Sequence, residues 1–134
     1  MITATVEYLG SLRTKCTHVQ SGMEIVTDAP LDNNGKGEAF SPTDLAATAY
    51  ASCMLTIIGI FCEANGLNFN QAKASVEKVM GSNPRRISKV VIDMDLSGNN
   101  WSDSEAEKAI RAGKNCPVAK TFSEGVEIEF SFSY

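Results

Sequence analysis

Metal-ligating residues and clustered positive charge are scarce in this sequence. It holds one histidine, His18, and four cysteines, Cys16, Cys53, Cys62 and Cys116, with no Cys-x-x-Cys pair among them. A zinc site would have to gather its ligands from distant places, so neither a metal centre nor another cofactor is expected. Basic residues are outnumbered, 12 Lys and Arg against 16 Asp and Glu, and they form no stripe that could track phosphates. Nucleic acid is therefore an unexpected partner. The start, Met1 to Tyr8, lacks a basic segment followed by an apolar run, and the expected location is cytoplasmic. No internal repeat is visible.

Long hydrophobic runs are also missing, with one exception. Leu45 to Cys62 carries no formal charge and approaches the lower limit for a membrane-spanning helix. Thr48, Tyr50, Ser52 and Thr56 dilute it, and the expectation is a central helix of a soluble domain, covered on most sides, with Cys53 shielded near its middle. A chain of 134 residues with 43% hydrophobic content is suited to one core, so residues 1–134 are read as a single domain without a membrane span.

What is present has a clear order. Residues 2–28 alternate in the manner of strands, with Gly10-Ser11 and Ser21-Gly22 as turns, which predicts a three-stranded antiparallel meander. The stretch from Asp28 to Phe40 contains Pro30, Asn33-Asn34-Gly35 and Gly37 and reads as a long surface loop, functional or mobile. Ser41-Pro42-Thr43-Asp44 has the chemistry of a helix start, with Ser41 as N-cap and Asp44 completing a capping box, and Asn65-Gly66 is the stop. Strand patterns over 72–80 and 87–96 are joined by Gly81-Ser82-Asn83-Pro84 as a hairpin. Ser102 to Glu105 forms a second capping box, opening a helix that Gly113 ends, and 126–134 alternates as a final strand. The predicted class is α+β, antiparallel sheets around a long central helix, in the order βββ-α-ββ-α-β.

Four cysteines in a cytosolic chain point to free thiols or catalytic groups before structural disulfides. Cys116 precedes Pro117, which suits the first position of a short helix. That places the sulfur among unpaired N–H groups, with Lys114 and Lys120 adding positive charge, and favours a thiolate. Equally, a cysteine there could be a small apolar filler. Cys53 is by helix logic a core residue. Cys62, nine positions later, falls on the other side of the helix, and Cys62 and Cys16 are read as packing residues. Arg13 is by default a solvated strand charge, unless tertiary structure aims it at a thiol, where a guanidinium would favour the thiolate and bind substrate oxygens.

Ser41-Pro42-Thr43-Asp44-Leu45 leading to Ala51-Ser52-Cys53, the distant Cys116-Pro117-Val118, and Asn83-Pro84-Arg85-Arg86-Ile87 in the hairpin together resemble the osmotically inducible protein C and organic hydroperoxide resistance family (OsmC/Ohr-like). The resemblance covers most of the chain, and the derived element order agrees with it. It implies an intertwined homodimer with active sites at the subunit interface, working as a thiol peroxidase on organic hydroperoxides or hydrogen peroxide. By position Cys53 is then the attacking thiolate that becomes a sulfenic acid, Cys116 the resolving thiol, and Arg13 the thiolate's arginine, with Lys15 a neighbouring candidate. The implied reductant is a dithiol, with lipoyl compounds one candidate class. Apolar neighbours such as Met54 and Ile57 favour an alkyl peroxide over a charged one. One departure stands out. Better characterised peroxidases of the family carry a glutamate ten residues before the helical cysteine to hold the arginine, and that position here is Thr43, while Asp44 is turned away in its capping role. The expected consequence is an arginine without its orienting ion pair, which leaves open a non-catalytic or redox-sensing binding module of the same fold.

Overall fold

The computed structural model describes residues 1–122 and 124–134. The chain divides into two compact units, residues 1–46 and 47–134.

In the first unit, β1 (Ala4–Gly10), β2 (Arg13–His18) and β3 (Glu24–Asp28) form an antiparallel sheet in that order, the expected meander. Gly10, Ser11 and Leu12 all take positive φ at the first turn, and the register shifts between Tyr8 and Gly10. The β2–β3 register sets Arg13 opposite Asp28 and Thr14 opposite Thr27. The long loop that follows contains a short 3-10 turn, Leu31–Asn33, and is tied down along its length. Gly35 and Gly37 donate to the carbonyls of Pro30 and Ala29, and Asp28 N donates to the Phe40 carbonyl at 3.1 Å. Gly35 is required at this fold-back, because a β-carbon there would stand 1.7 Å from the Ala29 carbonyl oxygen. Many apolar side chains of the meander, among them Val6, Tyr8, Met23 and Ile25, are exposed.

Helix α1 (Pro42–Ala64) begins at the end of the first unit and runs on through the second. Its start is the predicted capping box: Asp44 N donates to Ser41 Oγ at 3.0 Å and Ser41 N donates to Asp44 Oδ2 at 2.9 Å. By length and composition the helix could cross a membrane, since one window of it has a mean hydropathy of 1.9. Its apolarity has another explanation, because Ala47, Tyr50, Ala51, Met54, Ile58 and Cys62 form a buried stripe at helical spacing in the core of the second unit.

The other side of that core is a sheet of β4 (Lys73–Gly81), β5 (Arg86–Asp95) and β6 (Glu127–Ser133). β4 and β5 are the expected hairpin, whereas β6 runs parallel to β5. A parallel neighbour needs a crossover, and α2 (Asp103–Lys114) with α3 (Pro117–Thr121) lies in it. Alternation puts Val90, Ile92 and Met94 of β5 inward and fully buried, with Ile128, Phe130 and Phe132 of β6 beside them in register. Burying side chains of this size contributes roughly 1.5–3 kcal/mol each. Ser102 and Glu105 cap α2 reciprocally, as expected.

Candidate functional site

Two of the three candidate residues are brought together within the second unit. Cys53 lies on α1 in the turn after Tyr50, partly buried against the core. Cys116 is the N-cap of α3, its place fixed from both sides: its N–H donates to Gly113 O at 3.1 Å, and Pro117 opens the helix after it. The Cys116 sulfur accepts the Ala119 N–H at 3.4 Å and is fully buried. The Cys53 side chain is close enough to the Cys116 thiol to raise its pKa, and both thiols are free. A partly buried cysteine thus stands beside a fully buried one on a separate element, an arrangement that suits one thiol meeting an oxidant and the other condensing with it.

The electrostatics of Cys116 differ from the sequence-based expectation. Burial pushes this thiol above its ordinary range, the neighbouring Cys53 adds to the rise, and the Ala119 and Val118 N–H groups pull the other way without reversing it. Enclosure thus outweighs the helix-end donors. Nor do the nearby lysines serve the sulfur. Lys114 Nζ sits over the rings of Phe130 and Phe132, 5.1 and 5.4 Å from their centroids, and Lys120 Nζ donates to Asn115 Oδ1 at 3.1 Å.

Tyr50 is a site residue that the sequence reading passed over. It meets Phe122 edge to face at 5.6 Å and Phe130 at 6.1 Å. Its phenol is raised by burial and, to a lesser degree, by the charge of an ionised Cys116. An aromatic wall therefore stands beside Cys116. The i, i+3 spacing of Tyr50 and Cys53 was the available signal.

Arg13 belongs to the first unit, and its surroundings there correct the expectation of a missing ion pair. Its Nε donates to Asp28 Oδ1 at 2.7 Å and its Nη2 to Asp28 Oδ2 at 2.8 Å, a two-point contact, while Nη2 also donates to Glu38 Oε2 at 3.1 Å. Asp28 is 1% exposed, against 31% for Arg13 and 66% for Glu38. The Arg13 hydrogen bonds hold the Asp28 carboxyl below the usual range, and that same carboxylate raises the guanidinium further beyond any physiological titration. Arg13 is thus a part-buried charge held in place by its carboxylate partners. The alternative cation, Lys15, is taken up by Glu7 at 3.5 Å and Glu24 at 3.9 Å.

Among the described residues no three His, Cys, Asp or Glu side chains converge as a metal-ligand set.

The sequence profile of the OsmC-like protein family matches residues 35–131. Among solved structures, a protein of Psychrobacter arcticus described as an osmotic stress induced and detoxification response protein is 44% identical, with a TM-score of 0.93 over 99% of this chain and 96% of that one. An organic hydroperoxide resistance protein of Legionella pneumophila shares the fold at 18% identity, with a TM-score of 0.78 over 100% of this chain and 98% of its own. The organic hydroperoxide resistance protein OhrB of Bacillus subtilis does so at 16% identity, with a TM-score of 0.70 over 98% of both chains. No curated protein is matched by sequence.

Proposed function

Since the chain belongs to the OsmC-like family, we propose that it is a thiol-dependent peroxidase for small organic hydroperoxides or hydrogen peroxide. The observation that carries this reading is the partly buried Cys53 beside the fully buried Cys116. In the first step the Cys53 thiolate attacks the distal peroxide oxygen, the O–O bond breaks, the alcohol leaves with a proton, and Cys53 becomes a sulfenic acid. Cys116 then attacks that sulfur, water departs, and a Cys53–Cys116 disulfide forms. A dithiol reductant, of which lipoyl compounds are one class, restores both thiols and leaves as its own disulfide.

The unequal exposure of the two sulfurs supports this division of labour. The enclosed Cys116 stays protonated and waits for a partner that is already oxidised, while Cys53 meets the peroxide. Arg13 is the proposed partner of the Cys53 thiolate. The chain works as a cytoplasmic homodimer in this reading, with the site at the subunit interface. The exposed apolar side chains of the meander support such an assembly, because a second copy would cover them.

The test is a thiol count on reduced protein after one equivalent of cumene hydroperoxide, with mass mapping of the product. Loss of two thiols into a Cys53–Cys116 link is expected, and four intact thiols would overturn the peroxidase reading. The alternative is a redox-sensing module of the same fold. In that case the disulfide forms on oxidation but no steady turnover follows with any dithiol.

A further inference from the structure

We infer that Asp28 is the positioning residue for Arg13, fixing the plane and direction of its guanidinium. This rests on the peroxidase reading, which makes Arg13 the thiolate's partner.

The argument begins with the shape of the contact. A guanidinium is a rigid planar fork, and two parallel bonds to one carboxylate leave it no freedom to rotate about the pair. Asp28 takes the Nε and Nη2 edge, and Nη1 takes part in none of these bonds. The carboxylate is itself held. It is 1% exposed, its Oδ2 accepts the Glu38 N–H at 3.2 Å, and the Asp28 backbone N–H is bound to Phe40 O. Arg13 and Asp28 are direct cross-strand partners, so the β2–β3 ladder sets the distance between their backbones. Each constraint leads from hydrogen-bonded backbone to carboxylate to guanidinium, with no long flexible side chain on the anchoring side. Glu38 differs in every respect, being exposed, on a loop and bound through a single oxygen.

Stability alone is a weak reason to keep such a pair. A buried ion pair gains little over apolar residues of similar size, because desolvation offsets the attraction. A fixed charge at a defined place is what the arrangement provides. The carboxylate that the family's peroxidases carry on the helix, at the position of Thr43, is here supplied from the end of β3.

The test compares R13A, D28N, D28E and the R13A/D28N double variant. The readouts are the rate of cumene hydroperoxide consumption across pH and, in a Cys116→Ser background, the rate of Cys53 alkylation by iodoacetamide. If Asp28 acts through Arg13, D28N loses at least about tenfold in peroxide rate, equivalent to about 1.4 kcal/mol, and its pH profile moves upward. D28E recovers part of the loss, and the double variant is no slower than R13A alone. A wild-type rate in D28N, or losses that multiply in the double variant, would overturn the inference. Should D28N not fold, R13K decides instead: lysine keeps the charge but lacks the fork, so a wild-type rate would sink the idea and a comparable loss would support it. If the wild-type protein consumes no peroxide, the peroxidase reading fails on its own. The alkylation rates then still decide the coupling, with equal slowing in R13A and D28N supporting it and no slowing in either overturning it.

Discussion

Gly113 near the end of α2 lies against Ile58 of α1 so closely that a β-carbon on Gly113 would stand 3.0 Å from both Cγ1 and Cδ1 of the isoleucine. Ile58 is fully buried and has little room to move aside. The same Gly113 carbonyl accepts the Cys116 N–H, so the helix contact and the placement of the Cys116 thiol share one residue. Gly113→Val is expected to lower stability by roughly 1–3 kcal/mol through overpacking. It should also slow disulfide formation after oxidation, because α2 must shift and carry Cys116 with it. Thermal melting and the rate of disulfide formation check the two effects separately, and a variant with unchanged Tm would show that α2 accommodates the side chain freely.

Lys114 stacks over Phe130 and Phe132, and this geometry separates two accounts of its charge. If the ammonium served the Cys116 sulfur, removing it would change thiol chemistry. Since it lies on the rings, Lys114→Ala should cost about 0.5–1 kcal/mol of stability and leave the rate of disulfide formation near that of the wild type. Denaturant unfolding with a parallel thiol count tells these apart, and a slowed disulfide step at unchanged stability would reverse the assignment.

How far the sequence carried the fold is visible in its local signals. The capping boxes at Ser41 and Asp44 and at Ser102 and Glu105 act over three residues, and both are formed. The turns at Gly10-Ser11, Ser21-Gly22 and Gly81 to Pro84 likewise announce themselves locally. The short helix after Cys116 followed from Pro117. What stayed hidden depends on residues distant along the chain. Arg13 and Asp28 meet because 15 residues fold back in one register, and only an exact turn position would have paired them. The parallel placement of β6 is equally a matter of topology, since strand alternation reads the same in either direction. The direction of the Cys116 shift went wrong because helix-end donors can be read from Cys-Pro, whereas enclosure cannot.

Three groups in the second unit, Tyr50, Cys62 and Cys116, are raised above their ordinary values chiefly by burial. Each is neutral when protonated, and each loses its proton more readily in the unfolded chain than in the folded one. Between the unfolded and folded values the unfolded state therefore binds fewer protons, and stability falls as pH rises. The contribution is intact below about pH 9 for the two thiols and below about pH 10 for the phenol, and above those ordinary values it declines by at most about 1.4 kcal/mol per pH unit for each group. Cys62 provides the clean check, because it packs in the α1 stripe away from the proposed chemistry. Cys62→Ala should cost stability at pH 7 yet show a shallower decline in unfolding free energy from pH 8.5 to 10. Parallel curves for the two proteins would mean that the Cys62 thiol does not titrate across unfolding.

Asp28 sets the opposite dependence on the acid side. Its carboxyl is held low by the Arg13 hydrogen bonds, so the folded state binds fewer protons than the unfolded one below the ordinary Asp value of 3.8. The stability that this pair contributes is present above that value and is lost as pH falls through it toward the lower folded value. Asp28→Asn cannot titrate, and its acid unfolding should lose that part of the pH dependence while starting from a lower plateau near pH 7. Arg13→Ala removes the cause of the shift and should return the Asp28 titration toward its ordinary range. The two variants together locate the effect in the pair. If wild type, Asp28→Asn and Arg13→Ala show the same slope between pH 5 and 2, the contact does not hold the carboxylate in solution. The cross-strand anchor for Arg13 would then have to be abandoned, whatever the protein does with peroxides.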